Sequence, residues 1–414
     1  VIVTRRTVAA VTAAAVSSIW LPWRFSLTLM VMVLVIAVVD AWQVSRVPAL
    51  KQELAPILSR AIPSTLRIGL RGRSPGITIR QPTLPDVTIE PQEGAGRLEA
   101  TIAIGRRGTH RLPMPVTRAI GPLGFGGWIH RAGRSQSVTV YPDMPAARHL
   151  AASVRTGVFR EEGKRSRGSL GLGTEFESIR QYQPDDDIRQ INWRATAKQG
   201  TPMSNQYRLE QDRDIICLLD CGRLMSAPVA GKTRLDIAVD ALAALAAVAD
   251  QVGDRVGVVA FDDSILRAVR PRRGGGAAVV HAVHDLEPTA VASDFELAVR
   301  SVMRDKRAFV IIFTDLIDET AAEPLADALP LLARKHSVTV AGVIDPDLER
   351  LVSEPARQLG DVMRAATAVR FLASKEKAVA LLTHRGVQVV EAAFDQFSAR
   401  CVAAYLRAKR SARL

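Results

Sequence analysis

The second half of the chain constrains the fold more than any other part. From residue 214 onward, short aliphatic runs alternate with longer, alanine-rich amphipathic stretches. DIICLLD (214–220), RVGVVAF (255–261), AFVIIFTD (308–315) and SVTVAGVI (337–344) are almost wholly apolar, as strands are when both faces of a sheet are covered. Helical stretches are predicted at 234–251, 277–286, 295–304, 323–335 and 359–385, with a short strand at 387–390 and a last helix from 394. Residues 266–269 read as a hairpin partner of the second strand. This alternation predicts an α/β domain over 213–414, a doubly wound and mostly parallel sheet whose ligands gather at the C-terminal strand ends. Asp220 and Asp315 close two of those strands and are the first candidate site residues.

The N-terminal 50 residues predict a membrane segment. An apolar stretch at 8–23 is followed, after Arg24, by a stronger one at 25–42. A helix needs roughly 20 apolar residues to cross a bilayer. Trp20, Trp23 and Trp42 stand at the stretch ends, where aromatic belts form. The expected structure is a hairpin of two helices turning at Leu21-Pro22-Trp23-Arg24. Arg5, Arg6, Arg46, Lys51 and Arg60 then lie on the positive side. The alternative is a cleavable signal peptide, although no small-residue cleavage site follows a single apolar core.

Residues 51–155 shift to short alternating runs (LRIGL, ITIRQPTL, VTIEP, LEATIAI, SVTVYP) punctuated by Pro and Gly, predicting a small β-rich domain. GPLGFGG (121–127) lacks the lysine of a phosphate loop and reads as a turn. The net charge of +13 fits an anionic membrane surface. An aromatic content of 5% is too low for a base-stacking platform, so no specific nucleic-acid partner is expected. Three cysteines, Cys217, Cys221 and Cys401, read as reduced core residues and hence a cytosolic main body.

Residues 156–212 hold a basic, glycine-rich connector and then GTEFESIRQYQPDDDIRQINWRATAK (173–198). Glu175, Arg180, Tyr182, Asp186, Asp187, Arg189, Asn192, Trp193 and Lys198 are its chemistry-bearing members. Two readings stand. One is an ion-paired, aromatic-stapled docking strap, with Arg189 paired to Asp186 or Asp187 and Trp193 packed in a domain junction. The other is a catalytic carboxylate cluster. General acid–base work wants a partner such as His, and no His lies between His149 and His281.

This stretch resembles the signature of the bacterial "domain of unknown function 58" family. Asp185 stands where that family usually has Gly. The resemblance implies a pair of membrane helices with the main domains in the cytosol. It also implies a non-enzymatic adaptor role, beside a MoxR-type AAA+ ATPase and the client proteins that the pair assembles or activates. The C-terminal half is similar to the von Willebrand factor A domain, in which a D-x-S-x-S loop, a Thr and an Asp hold a divalent cation. Here Asp220 takes the first position, Gly222 and Leu224 replace the two serines, Ser293-Asp294 lies at the second loop, and Thr314-Asp315 matches the third. The expectation is a degenerate, metal-free site, with weak Mg²⁺ binding as the alternative. A metal-dependent hydrolase or ligand-binding protein using Asp220, Asp294 and Asp315 is the competing function.

Weaker motifs resolve to ordinary roles. AGKT (230–233) lacks the first glycine of a phosphate loop. RPRRGGG (270–276) reads as a turn before a helix, with anion binding as its rival. His281 and His284 share a helix face without a third ligand, and His110 and His130 have no partner at ligand spacing.

Overall fold

The computed structural model describes residues 1–72, 76–156, 175–183, 186, 188–208, 213–303, 306–315, 319–355 and 358–410. They form two compact units, Val1–Tyr141 and Pro142–Leu414.

The first unit opens with strand β1 (Ile2–Val3) and helices α1 (Arg5–Val16) and α2 (Trp23–Gln43). Strands β2 (Leu50–Glu53), β3 (Ile57–Ser59), β4 (Ser64–Leu70), β5 (Ile77–Arg80), β6 (Val87–Glu90) and β7 (Glu93–Ala95) follow. The unit ends with β8 (Arg97–Ile104), β9 (Gly108–Leu112), β10 (Val116–Ile120), β11 (Gly126–Arg131) and β12 (Gln136–Tyr141). Three sheets result, ordered β2-β4-β8-β6, β1-β11-β10-β5-β7 and β3-β12-β9. The period-two pattern explains them: in β8 Leu98, Ala100, Ile102 and Ile104 point inward while Arg97, Glu99 and Thr101 are exposed. Their core also takes in Leu66, Ile68, Ile79 and Ile89.

The first apolar stretch lies in the 12-residue α1, which ends at Val16, and in a 3-10 turn at Ser17–Ile19. One helix among the described residues, α2, is long and apolar enough to cross a membrane.

The second unit contains α3 (Met144–Arg155), β13 (Glu175–Gln181), α4 (Trp193–Gln199), β14 (Met203–Arg208), β15 (Asp214–Asp220), the two-residue strands β16 (Pro228–Val229) and β17 (Lys232–Thr233), and α5 (Arg234–Val252). It continues with β18 (Arg255–Phe261), β19 (Ile265–Arg273), α6 (Gly276–Val283), α7 (Phe295–Val302), β20 (Ala308–Phe313) and α8 (Glu319–Ala333). Last come β21 (Ser337–Ile344), α9 (Pro346–Ser353), α10 (Leu359–His384), β22 (Gln388–Ala393) and α11 (Phe397–Arg410). Helix α3 falls in this unit, whereas the sequence pattern extends the β-rich domain to 155.

The sheet order is β19-β18-β15-β20-β21-β22. All pairs are parallel except β18–β19, which is the antiparallel hairpin expected. Alternate residues of one strand serve the two faces. Val310 and Ile312 of β20 join the core formed with α7, α8 and α10. Phe309 and Phe313 meet Tyr405 and Phe397 of α11, with ring centroids 5.8 and 6.2 Å apart. A sheet covered on both faces explains the unbroken apolar strands. Cys217, Cys221 and Cys401 are buried and form no disulfide among the described residues.

Candidate functional site

Parallel pairing brings the C-terminal ends of β15, β18 and β20 side by side, and each is followed by or ends in an aspartate: Asp220, Asp262 and Asp315. Asp220 is 1% exposed. Its Oδ1 accepts the Gly222 amide at 2.8 Å and the Ser293 hydroxyl, and its Oδ2 accepts the Thr314 hydroxyl at 2.6 Å. Burial raises the Asp220 carboxyl above the usual range. The Ser293, Thr314 and Gly222 hydrogen bonds only partly offset that rise, and nearby Asp262 adds to it.

Asp315 faces a different partner. Arg234, at the first turn of α5, places Nη1 2.9 Å from Asp315 Oδ1 and 2.8 Å from the Val343 carbonyl. Lys375 of α10 donates to the same carbonyl at 3.2 Å and pairs with Glu391 of β22 at 2.8 Å. Both members of the Arg234–Asp315 pair are buried. Arg234 Nε has no hydrogen-bond partner among the described residues. Burial raises the Asp315 carboxyl; Arg234 and Lys375 pull it back, while Glu391 and Asp220 push it further up. Asp262 behaves oppositely: burial pushes it up, but the Ser264 amide and hydroxyl and the Thr289 hydroxyl outweigh burial and hold it low.

The Asp294 amide donates to the Asp262 carbonyl at 2.7 Å, but the Asp294 side chain is engaged elsewhere. It caps α7, accepting the Leu297 amide at 2.9 Å, as an acidic residue at a helix start does. The lesser motifs are similarly engaged. Thr233 forms a capping box with Asp236 at the start of α5. The Gly276 amide at the start of α6 is held by Asp250 at 3.1 and 3.2 Å, so a carboxylate of the chain already fills the anion position of RPRRGGG. His284 Nδ1 lies 2.6 Å from the His281 carbonyl, His110 Nε2 2.8 Å from the Arg106 carbonyl and His130 Nε2 2.9 Å from the Val44 carbonyl.

The signature folds as an antiparallel pair, β13 with β14, enclosing α4. Arg180 Nη2 contacts Asp186 Oδ1 at 2.6 Å, the Gln183 amide donates to Asp186 Oδ2 at 2.9 Å, and the Tyr182 hydroxyl donates to the Asp186 carbonyl at 3.1 Å. The Gln183 amide, with Arg180, outweighs desolvation and holds the Asp186 carboxyl low. Asn192 caps α4, its Oδ1 accepting from the Ala195 amide at 2.9 Å and its Nδ2 donating to Asn205 at 2.8 Å. Lys198 lies in the last turn of α4, where a cation favours the helix dipole.

Among the described residues Asp186 pairs with Arg180, as the turn after β13 folds Asp186 back beside that strand's end. The expected Arg189 pairing falls on a side chain outside the described residues. One expectation needs correction. Trp193 is 70% exposed, not packed, at the first position of α4. Asp187 lies outside the described residues, as do the side chains of Glu175 and Arg189.

Residues 178–378 match the family model described as Protein of unknown function DUF58. That stretch belongs to the DUF58 family. The DUF58 region runs from β13 into α10, so it takes in the signature pair, Asp220, Arg234, Ser293, Asp315 and Lys375. Proteins of Mycobacterium tuberculosis (strain H37Rv) and Mycobacterium bovis, both described as uncharacterized, are 25% identical over 184 residues, which is 42% of this chain and 56% of each relative. The chain thus spans about half the length of the curated relatives it matches. Among solved structures, the mussel byssus proximal thread matrix protein 1 aligns at 14% identity and a TM-score of 0.27, covering 48% of this chain and 46% of that one. A superoxide reductase (neelaredoxin) of Ignicoccus hospitalis aligns at 13% identity and 0.15, covering 23% and 82%. Likeness at these scores carries no argument about fold.

The von Willebrand A resemblance implies a divalent cation, and the DUF58 site can be tested against it. Three oxygen-bearing side chains, Asp220, Ser293 and Thr314, do converge. Their hydroxyls, however, donate to the carboxylate, and with the Gly222 amide they take three of its four acceptor positions. A Cβ on Gly222 would lie 2.1 Å from Ser293 Oγ, so Ser293 fills the space of the missing loop serine. The Arg234 guanidinium meets Asp315, the position of the third-loop ligand, so as arranged these residues do not fit a bound cation. Arg234 was missed in the sequence because it reads as an ordinary helix-start residue, 81 positions from Asp315.

Proposed function

We propose that this protein is a membrane-anchored, non-enzymatic adaptor whose strand-end site works without a metal. The observation that carries the reading is the closure of that site by its own residues. Asp220 accepts three internal hydrogen bonds, from Gly222, Ser293 and Thr314, and Asp315 is matched by Arg234. A general base needs a free lone pair aimed at a substrate, and an electrophilic cation needs open carboxylate oxygens. Here three of the four acceptor positions of Asp220, and the charge of Asp315, are engaged by internal partners.

In this reading α1 and α2 form a two-helix anchor in the cell's inner membrane, with the main domains in the cytosol. The length and apolarity of α2 support the anchor. The von Willebrand A-like half is a protein-binding platform, and the partner is a MoxR-type AAA+ ATPase acting with it on client proteins, as the family resemblance implies. The exposed Trp193, Ile188 and Ile179 of the signature pair support a contact surface there, since aromatic anchors dominate interface energetics.

Affinity capture of the tagged full chain from its native membrane tests the adaptor role. Recovery of an AAA+ ATPase with the wild-type chain, reduced with Trp193→Ala, is the expected outcome. Repeated capture without an ATPase, while other membrane complexes survive the same preparation, refutes it. The convergence of Ser293 and Thr314 on Asp220 favours a second reading, a metal-dependent hydrolase or ligand-binding protein. Saturable Mg²⁺ or Mn²⁺ binding would support it.

A further inference from the structure

Asp40 is the only ionisable residue in the apolar run 25–42, and it is fully buried. Its Oδ1 accepts the Leu123 amide at 3.0 Å, and its Oδ2 accepts the Phe125 and Gly126 amides at 2.8 and 3.0 Å. The carbonyls of the same loop are taken from the other helix. Thr4, which caps α1, donates to the Gly124 carbonyl at 2.6 Å, Thr7 donates to the Phe125 carbonyl, and Arg6 reaches the Leu123 carbonyl at 3.4 Å. The loop is closed by amides of Gly121 and Gly124 that donate to Gly126 and Gly121, each at 2.9 Å. Side chains are excluded: a Cβ on Gly121 would lie 2.3 Å from the Asp40 carboxylate, and one on Gly126 would lie 2.0 Å from the Ala37 carbonyl. GPLGFGG is therefore a two-sided socket, with its N–H groups bonded by α2 and its C=O groups by α1.

We propose that this socket sets the depth of the α1–α2 hairpin in a lipid bilayer and itself lies in the headgroup layer, so that the β-rich unit touches lipid as well as the helices. The inference rests on the membrane-anchor reading. Trp23 and Trp42 are 66% and 73% exposed. They stand nineteen residues apart on one helix, about 28 Å, close to the roughly 30 Å of a hydrocarbon core. Apolar side chains between them, including Phe25, Val35 and Val38, are exposed. With Trp42 at one interface, Asp40 falls on the hydrocarbon side of it, where an unpaired carboxylate is costly. Backbone amides of the socket supply the missing donors and screen the charge from lipid. Leu123 of the socket, Ile129 of β11 and Val3 of β1 are exposed around the same base.

The test uses the full chain in vesicles of equal parts phosphatidylcholine and phosphatidylglycerol. Hydrogen exchange is followed at residues 121–127, in wild type, Asp40→Leu and Asp40→Asn. A chain retaining Trp42 alone, with the other tryptophans changed to Phe, is quenched by lipids brominated at shallow or deep acyl positions. Exchange in the socket should be about tenfold faster or more in Asp40→Leu, intermediate in Asp40→Asn, and unchanged in β4 and β8. Trp42 should be quenched most by the shallow bromines, and that preference should be lost in Asp40→Leu. If Asp40→Leu also speeds β4 and β8, the unit has unfolded, and Asp40→Asn with Thr4→Val decides by the same readouts. A chain that fails to float with the vesicles overturns the anchor reading and this inference with it. A chain that floats, yet shows socket exchange indifferent to Asp40 or Trp42 quenched by aqueous acrylamide alone, overturns only this inference.

Discussion

At Asp220, burial and hydrogen bonding pull in opposite directions, and burial wins: the carboxyl is raised. A folded-state pKa above the unfolded value means that folding takes up a proton. The stability this group contributes is full below the unfolded pKa, about 3.9, and is lost as pH rises through the folded value. Asp220→Asn keeps one oxygen acceptor and lets Ser293 or Thr314 turn its hydroxyl to accept. Relative to wild type, the variant should therefore gain stability as pH rises from about 4 to 8, by about 1.4 kcal/mol for each unit of the raised pKa. Melting of the two proteins across that range measures it. A difference that is flat with pH contradicts the burial-dominated charge. Asp220 and Asp315 were legible in the sequence because an acid that closes an apolar strand stands where an α/β sheet gathers its ligand loops. Arg234 was not, since only the fold brings the start of α5 against the end of β20.

Among the elements, the signature pair β13–β14 is where expectation and structure part most clearly. An aromatic in a charged stretch suggested packing, but Trp193 opens a short helix and is exposed there. Trp193→Ala should leave thermal stability within about 0.5 kcal/mol, as exposed substitutions do, while weakening partner capture about tenfold or more. A loss of several kcal/mol on melting would restore the packed strap. The opposite is expected for α11. Lys409 Nζ lies 2.6 Å from Asp254, which also accepts from Tyr405, and all three side chains are buried. Lys409→Met should cost about 3–5 kcal/mol by stranding the Asp254 charge, which denaturant unfolding would show as a lowered midpoint with an unchanged slope. The sheet strands were readable because DIICLLD, RVGVVAF and AFVIIF are continuous apolar runs of strand length. Helices α3 and α9 were not, because MPAARHLAASVR follows a strand without a glycine break and PDLERLVS is eight residues with mixed polarity. Asp40 was hidden for a similar reason: at the end of an apolar run it reads as a stop signal, and its partners are 83 to 86 residues away.

For the molecule as a whole, an apolar hairpin, a β-rich unit and an α/β unit make up a basic chain of net charge +13. What it does turns on whether the strand-end site of the α/β unit is open to a ligand cation or closed by the chain itself. In the reading proposed above, internal hydrogen bonds at Asp220 and the Arg234–Asp315 pair close it. Isothermal titration of Mg²⁺ and Mn²⁺ into the detergent-solubilised full chain, with Asp220→Asn alongside, tests that closure most directly. The expected result is no saturable heat from either protein at millimolar metal. A saturable isotherm in the wild type that Asp220→Asn abolishes would contradict the closed site and turn the reading toward metal-dependent chemistry.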